Sequence, residues 1–451
     1  MSTDSAIQSA YDVLNRSILY FREQPVGTAA AVDNTVEAVN YEECFIRDFV
    51  PSAMVFLMDG NTDIVRNFLQ MVVRLQAQQT VMEGHERAMG LMPASFRTPK
   101  EGEPSADFGD RAIGRVAPVD SAMWWMLLLR SYVVVTGDIA LAHSPEFQES
   151  MRQTLQLYLK ESFEQSPGML VPDASFMIDR RMGVYGHPLE IQSLFYGMLH
   201  TAQELLLATP ETQTLLNNVS KRLKTLRSYV RIYYWLDRQR LNEIHRFRSE
   251  EFGVDAVNLF NIYPETIPEW IDGWVPEHSG YFVGNLGPGR MDFRFFAFGN
   301  LLAVMFGLAT DEQSVQLMDL YRHRWDDLVG QMPLKILYPA VSGEKWAYTT
   351  GSDPKNVPWS YHNGGHWPCL IWAFAGAAIR TGHHDLAQKM LQTAKEKLPR
   401  DNWPEYYDGQ KGTLIGRRAN YFQTWSACGV IVAERFLNDS ESLPVFESFI
   451  F

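Results

Sequence analysis

The chain of 451 residues is 46% hydrophobic, 13% aromatic and 21% charged, which supplies a large core and excludes a disordered chain. A formal net charge of −13 argues against nucleic acid and anionic lipid as partners. The densest basic stretch, residues 221–240, has the spacing of the solvent side of an amphipathic helix, not of a segregated patch.

From the amino terminus, residues 1–17 are polar and acidic and lack the basic flank and apolar run of a secretory signal. No apolar stretch reaches membrane-spanning length, so a cytoplasmic protein is expected. Cys44, Cys369 and Cys428 are widely separated and form no C-x-x-C pair, which suggests neither a disulfide framework nor a zinc site. The N-x-S/T matches at Asn15, Asn218 and Asn438 are then chance.

Helical periodicity dominates, and two kinds of helix alternate. Residues 49–58, 121–136, 191–207, 295–309, 369–380 and 421–436 are apolar on nearly every side and read as buried helices. Residues 63–78, 147–163, 213–235, 314–329 and 386–398 are amphipathic and read as an outer layer, with residues 5–22 available as a sixth outer helix. Turns rich in Gly, Asn, Asp and Pro join each pair, as at Asp59-Gly60-Asn61 and Gly137-Asp138. The count predicts an all-α fold with an inner ring of six helices wrapped by six outer ones, and one catalytic domain over residues 1–451. A stack of helical hairpins that does not close is the competing architecture.

Polar and aromatic clusters precede the inner helices, at residues 40–48, 107–120, 173–190, 284–294, 360–367 and 403–423. With all inner helices parallel, these loops converge on one end of the barrel and line a pocket of Trp, Tyr, Arg, Asp and His. Such a pocket suits a polyhydroxylated ligand. In Ile178-Asp179-Arg180-Arg181-Met182-Gly183, Asp179 fits equally an aspartate held in a salt bridge and a carboxyl that protonates a leaving oxygen. In Asn402-Trp403-Pro404-Glu405-Tyr406-Tyr407, one Glu among three aromatic rings favours a site over a surface turn.

Asp107-Phe108-Gly109 is a chance match to the kinase triplet, since no Gly-rich loop or catalytic-loop motif accompanies it. The glycine-rich run at residues 284–290 fits neither the Walker nor the dinucleotide spacing, and reads as a loop that approaches the ligand. His362 and His366 are four apart, but the glycines between them argue against a helix, so no metal site is expected.

Several strings in order, from about residue 41 to residue 433, make the chain resemble the neutral/alkaline invertases of plants and cyanobacteria. They include Glu43-Cys44-Phe45-Ile46-Arg47-Asp48-Phe49, Ile113-Gly114-Arg115-Val116-Ala117-Pro118-Val119-Asp120-Ser121 and residues 178–186. Phe260-Asn261-Ile262-Tyr263-Pro264, Met291-Asp292-Phe293-Arg294-Phe295-Phe296, residues 361–368, Trp403-Pro404-Glu405-Tyr406-Tyr407 and Phe422-Gln423-Thr424-Trp425 complete the set. The resemblance implies an (α/α)6 barrel that hydrolyses sucrose to glucose and fructose with inversion, without metal or cofactor. It further implies a cytosolic homo-oligomer of hexameric form. Carried onto this sequence, Asp179 is the implied general acid and Glu405 the implied general base. The Asp173-Ala174-Ser175-Phe176 segment departs from the plant pattern, and the amino terminus is shorter than the plant extension.

Asp179 and Glu405 precede the third and sixth inner helices, which face each other in a ring of six. For the glucose unit the candidates are Asp48, Asp120 and Arg180 as hydroxyl contacts and Trp367 and Trp403 as stacking faces. Gln192, Asp292, His366, Arg417 and Gln423 are further candidates that fit ordinary buried polar groups equally well. A trehalase-like hydrolase and a non-enzymatic carbohydrate-binding scaffold are the rival functions.

Overall fold

The computed structural model describes residues 3–32, 40–83, 85–110, 117–160, 164–165, 167–171, 174–178, 180–249, 264–287, 290–415 and 419–451. In chain order its longer helices are α1 (Thr3–Ser17), α2 (Ile46–Met58), α3 (Thr62–Leu75), α4 (Ser121–Thr136), α5 (Pro145–Tyr158), α6 (Leu189–Leu205) and α7 (Gln213–Tyr229). They continue as α8 (Arg238–Ser249), α9 (Ala297–Met305), α10 (Asp311–His323), α11 (Gly343–Thr350), α12 (Ile371–Arg380), α13 (His384–Lys397) and α14 (Thr424–Asn438).

Apolar content sorts these helices into layers. In α6, 14 of 17 residues are buried, whereas in α7, of the same length, only Val219, Leu223 and Leu226 are. A helix apolar all round has no face to offer water and must be enclosed, while a one-striped helix can cover it. The six enclosed helices touch in the cyclic order α2, α4, α6, α9, α12, α14 and back to α2, so the ring closes. The open stack of hairpins is thereby excluded. Close contact between neighbours requires small residues: a Cβ on Gly299 of α9 would lie 2.7 Å from the backbone nitrogen of Glu190 of α6.

The outer layer follows from the amphipathic helices. Helices α3, α5, α7, α10 and α13 each follow an inner helix, and α1 packs against α14 and α13, taking the sixth outer place. The fold is therefore the (α/α)6 barrel. Helix α10 begins with a capping box, Thr310 receiving the Gln313 N–H while the Gln313 side chain receives that of Thr310. No helix among the described residues is long and apolar enough to cross a membrane.

The inner helices run in parallel. Arg47, Trp124, Phe298 and Trp425, from the first turns of α2, α4, α9 and α14, line one narrow cavity on the barrel axis with Trp372 of α12 and Met177 ahead of α6. The loops that precede the inner helices therefore meet at one mouth.

Several expected boundaries differ: helix α2 begins at Ile46, so that Arg47 and Asp48 lie within it and not in the loop before it, and strands replace helix or loop in the two stretches that follow. Residues 18–21 are a strand, Ile18–Phe21, paired antiparallel with Gln24–Thr28, so the first helix ends at Ser17. Residues 284–294, expected as a loop, belong to a hairpin of β1 (Gly280–Gly287) and β2 (Arg290–Phe296), with Asn285 opposite Asp292. Here Arg290, Asp292 and Arg294 alternate with Met291, Phe293 and Phe295, a strand period that the glycines disguised.

Candidate active site

The first turn of α2 carries Arg47 and Asp48 to the mouth. Arg47 Nε donates to Asp120 Oδ2 at 2.5 Å, and Asp120 is almost fully buried at the start of α4, where its carbonyl accepts the Trp124 N–H. This ion pair bolts the first inner helix to the second. Asp48 is half-buried beside this ion pair. Burial pushes its carboxyl up to about 7; Arg47 opposes the shift, and Glu405 and Asp120 add to it.

Glu190 is the single carboxylate in the apolar run that opens α6, and it is 1% exposed. Burial pushes it up to about 8, against the pull of Arg47 and with the push of Asp120. Its Oε1 accepts the Met177 N–H at 3.0 Å, which anchors the loop two residues before Asp179. Asp179 and Arg417 lie outside the described residues, and Arg180 is placed by its backbone as the first residue of the 3-10 turn Arg180–Met182.

Glu405 is buried in the loop ahead of α14, its N–H bonded to the Asn420 carbonyl at 2.9 Å. The Tyr41 hydroxyl donates to Oε1 at 2.7 Å, and the Asn420 amide donates to Oε2 at 3.2 Å. Burial, with Glu405 adding to it, pushes the Tyr41 phenol well above its ordinary range, so it stays a donor. Two donors fix the plane of the carboxyl and leave lone pairs that a water can use. The loop is held tightly: a Cβ on Gly409 would lie 1.9 Å from the Gly364 carbonyl oxygen. Tyr406 beside Glu405 stacks on Trp367 at 5.7 Å and 18°, and Trp367 meets Trp425 edge-on at 5.9 Å. Tyr406 and Trp367 stand beside Glu405, with Trp425 on the barrel side of Trp367.

Asp48, Asp120 and Glu190 thus share one electrostatic neighbourhood around Arg47, and Glu405 joins it through Asp48. Other expected contacts are placed differently. Trp403, expected as a stacking face, has φ of 53° and turns toward α1, where its indole N–H donates to Ser9 Oγ at 3.0 Å. With Asp12, Arg16 and Phe422 it lines a groove on the outer side.

His366 contacts two carbonyls through its ring nitrogens, Asp408 and Val329, both at 2.8 Å, and burial followed by Lys335 pulls it down to about 4. Gln192 receives the Met169 N–H and donates to the Met169 and Pro188 carbonyls, which holds the 168–171 segment. Asp292 sits in β2 against Arg294; burial works against its charge, but Arg294 outweighs burial and holds the carboxyl below its ordinary value. These three side chains tie the framework together. Gln423 is the opposite case: it is fully buried, and neither atom of its amide has a hydrogen-bond partner among the described residues.

Arg47, Glu190, Tyr41 and Asn420 were not among the expected site residues. Glu190 had a legible signal, a lone carboxylate within an apolar helix, which is costly unless the fold uses it. No group of three or more His, Cys, Asp or Glu among the described residues is arranged to hold a metal.

The closed helical barrel is a fold that solved glycosidases share. A solved GH63 mannosylglycerate hydrolase from Thermus thermophilus has the same fold at a TM-score of 0.60 and 11% identity, covering 95% of this chain and 100% of that one. The chain itself belongs to the alkaline and neutral invertase family, whose sequence model matches residues 10–440. It is 48% identical over 443 residues to probable alkaline/neutral invertase D of Arabidopsis thaliana, covering 97% of this chain and 83% of the relative. Cytosolic invertase 1 of Oryza sativa subsp. japonica is also 48% identical over 443 residues, covering 97% and 79%. The protein is an invertase, and so a glycoside hydrolase.

Proposed function

We propose that this invertase hydrolyses sucrose to glucose and fructose with inversion at the glucose anomeric carbon, Asp179 acting as general acid and Glu405 as general base. The observation that carries the reading is the setting of Glu405, a buried carboxyl oriented by Tyr41 and Asn420 and flanked by aromatic rings. Asp179 protonates the fructosyl oxygen as the glycosidic bond breaks, and Glu405 removes a proton from the water that attacks the opposite face. Inversion requires roughly 6.5–9.5 Å between the two carboxyls. Loops ahead of the third and sixth inner helices, opposite one another in the ring, suit that separation.

Asp48, Asp120 and Arg180 are the proposed hydroxyl contacts for the glucose unit, with Arg417 a further one and Trp367 a stacking face. Residues 1–451 act as one catalytic domain. The relative named a cytosolic invertase supports a cytosolic site of action, and the homo-oligomer, a hexamer, rests on the sequence resemblance.

Incubation with sucrose and, separately, with trehalose tests the substrate. Equimolar glucose and fructose from sucrose, with trehalose intact, is the expected result; glucose from trehalose with sucrose untouched would overturn it.

A further inference from the structure

Two indole N–H groups at the base of the site have no acceptor among the described residues. Trp124 is fully buried and Trp425 is 8% exposed, and Nε1 of each lacks a hydrogen-bond partner. Both residues line the cavity on the barrel axis, together with Arg47, Phe298, Cys369 and Trp372. The cavity has a volume of about 10 Å³, room for a single oxygen. An indole N–H only donates, and buried donors are normally paired, so the missing group is an acceptor oxygen. The rest of the lining is aromatic, aliphatic or sulfur apart from Arg47, whose guanidinium is paired with Asp120.

The position says which oxygen. Glu405 pairs with Asn420 ahead of α14, whereas Trp425 lies inside the first turn of α14 and Trp124 inside the first turn of α4, deeper along the axis. A sugar whose anomeric carbon is level with the acid and base points the opposite edge of its ring down the axis. In glucose that edge carries the C4 hydroxyl.

We infer that Trp124 and Trp425 are specificity-determining residues whose indole N–H groups donate to the glucosyl C4 hydroxyl oxygen at the floor of the site. The inference rests on the proposed glucosyl-hydrolase reading. A floor with room for one oxygen selects an unextended sugar, and a ring without that oxygen leaves both donors unpaired. Sites built to bond a hydroxyl discriminate strongly against the analogue that lacks it.

The test is calorimetric binding of D-glucose and 4-deoxy-D-glucose to the wild-type enzyme, Trp124→Phe and Trp425→Phe, with sucrose turnover measured on the same preparations. Phenylalanine keeps the ring face and removes the N–H. The expected result is a wild-type preference for glucose of about tenfold or more, reduced at least about threefold in each folded variant because glucose affinity falls while 4-deoxyglucose affinity holds. Equal affinity of the wild type for the two sugars needs no variant and would overturn the inference, as would absence of glucose binding or a parallel loss for both sugars in the variants. Sucrose turnover with an unchanged binding ratio would sink the floor assignment alone. Binding discrimination without sucrose turnover would sink only the sucrose reading.

Discussion

The barrel mouth contains two sets of buried polar side chains that treat their hydrogen bonds in opposite ways. His366, Gln192 and Asp292 satisfy their polar atoms against named backbone or side-chain partners and hold loops in place. Around Arg47, three carboxyls share one guanidinium and Glu405 adds its charge at Asp48, so that Asp48 and Glu190 are pushed up to about 7 and 8, while Gln423 has an unpaired amide. A buried polar group with complete bonds does structural work, whereas one held at an electrostatic cost in a cleft marks where ligand and chemistry belong.

The comparison is broken most directly by removing the proposed acid or base. Glu405→Gln keeps the shape and can still receive the Tyr41 bond, so it should fold at nearly the wild-type Tm while kcat on sucrose falls by about 10²–10⁴. Asp179→Asn should do the same. Turnover within tenfold of wild type in either folded variant would remove that residue from the mechanism.

Next in size is the ion pair between the first two inner helices. Arg47→Met leaves Asp120 buried beside Glu190 and Asp48 without its cation and should cost about 3–5 kcal/mol in urea unfolding at neutral pH. A loss below about 1 kcal/mol would show that the carboxyls do not depend on Arg47.

Particular residues show how much of this was legible in the sequence. The ring of six was, because α4 and α6 are apolar on sides that no surface helix could leave bare. The clusters carrying Asp48, Asp120 and Glu405 were legible at or just ahead of the starts of the inner helices. The rotation of Trp403 was not: a backbone φ of 53° sends the ring to Ser9, and no pattern of residue types encodes that dihedral. Trp124 and Trp425 were hidden for a different reason, since an indole in an apolar helix reads as core whether or not its N–H has an acceptor. The β1–β2 hairpin was readable from its alternation but masked by its glycines.

The framework set predicts a separation of stability from binding. Gln192→Leu should lower stability by about 1–3 kcal/mol, because the Met169 N–H and carbonyl lose their partner. KM for sucrose should change less than about twofold. A large KM change at unchanged stability would move Gln192 into the sugar site.

The smallest effect concerns pH. With its carboxyl raised from the ordinary 4.5 to about 8, Glu190 binds a proton in the folded enzyme over a range where the unfolded chain has released it. Its contribution to stability is therefore fully present below about pH 4.5 and is lost as pH rises toward about 8. Glu190→Gln removes that dependence, so Tm of the variant relative to wild type should rise by about 2 °C between pH 5 and pH 9. A difference that stays flat or falls with pH would mean that Glu190 is charged in the folded state.

The central claim is that Glu405 and Asp179 act from opposite faces of a glucosyl ring. Proton NMR of sucrose hydrolysis, followed before mutarotation equilibrates the sugar, tests it most directly. Inversion of the α-linked glucosyl unit predicts that the β-anomer of glucose appears first; α-glucose as the first product would contradict the account.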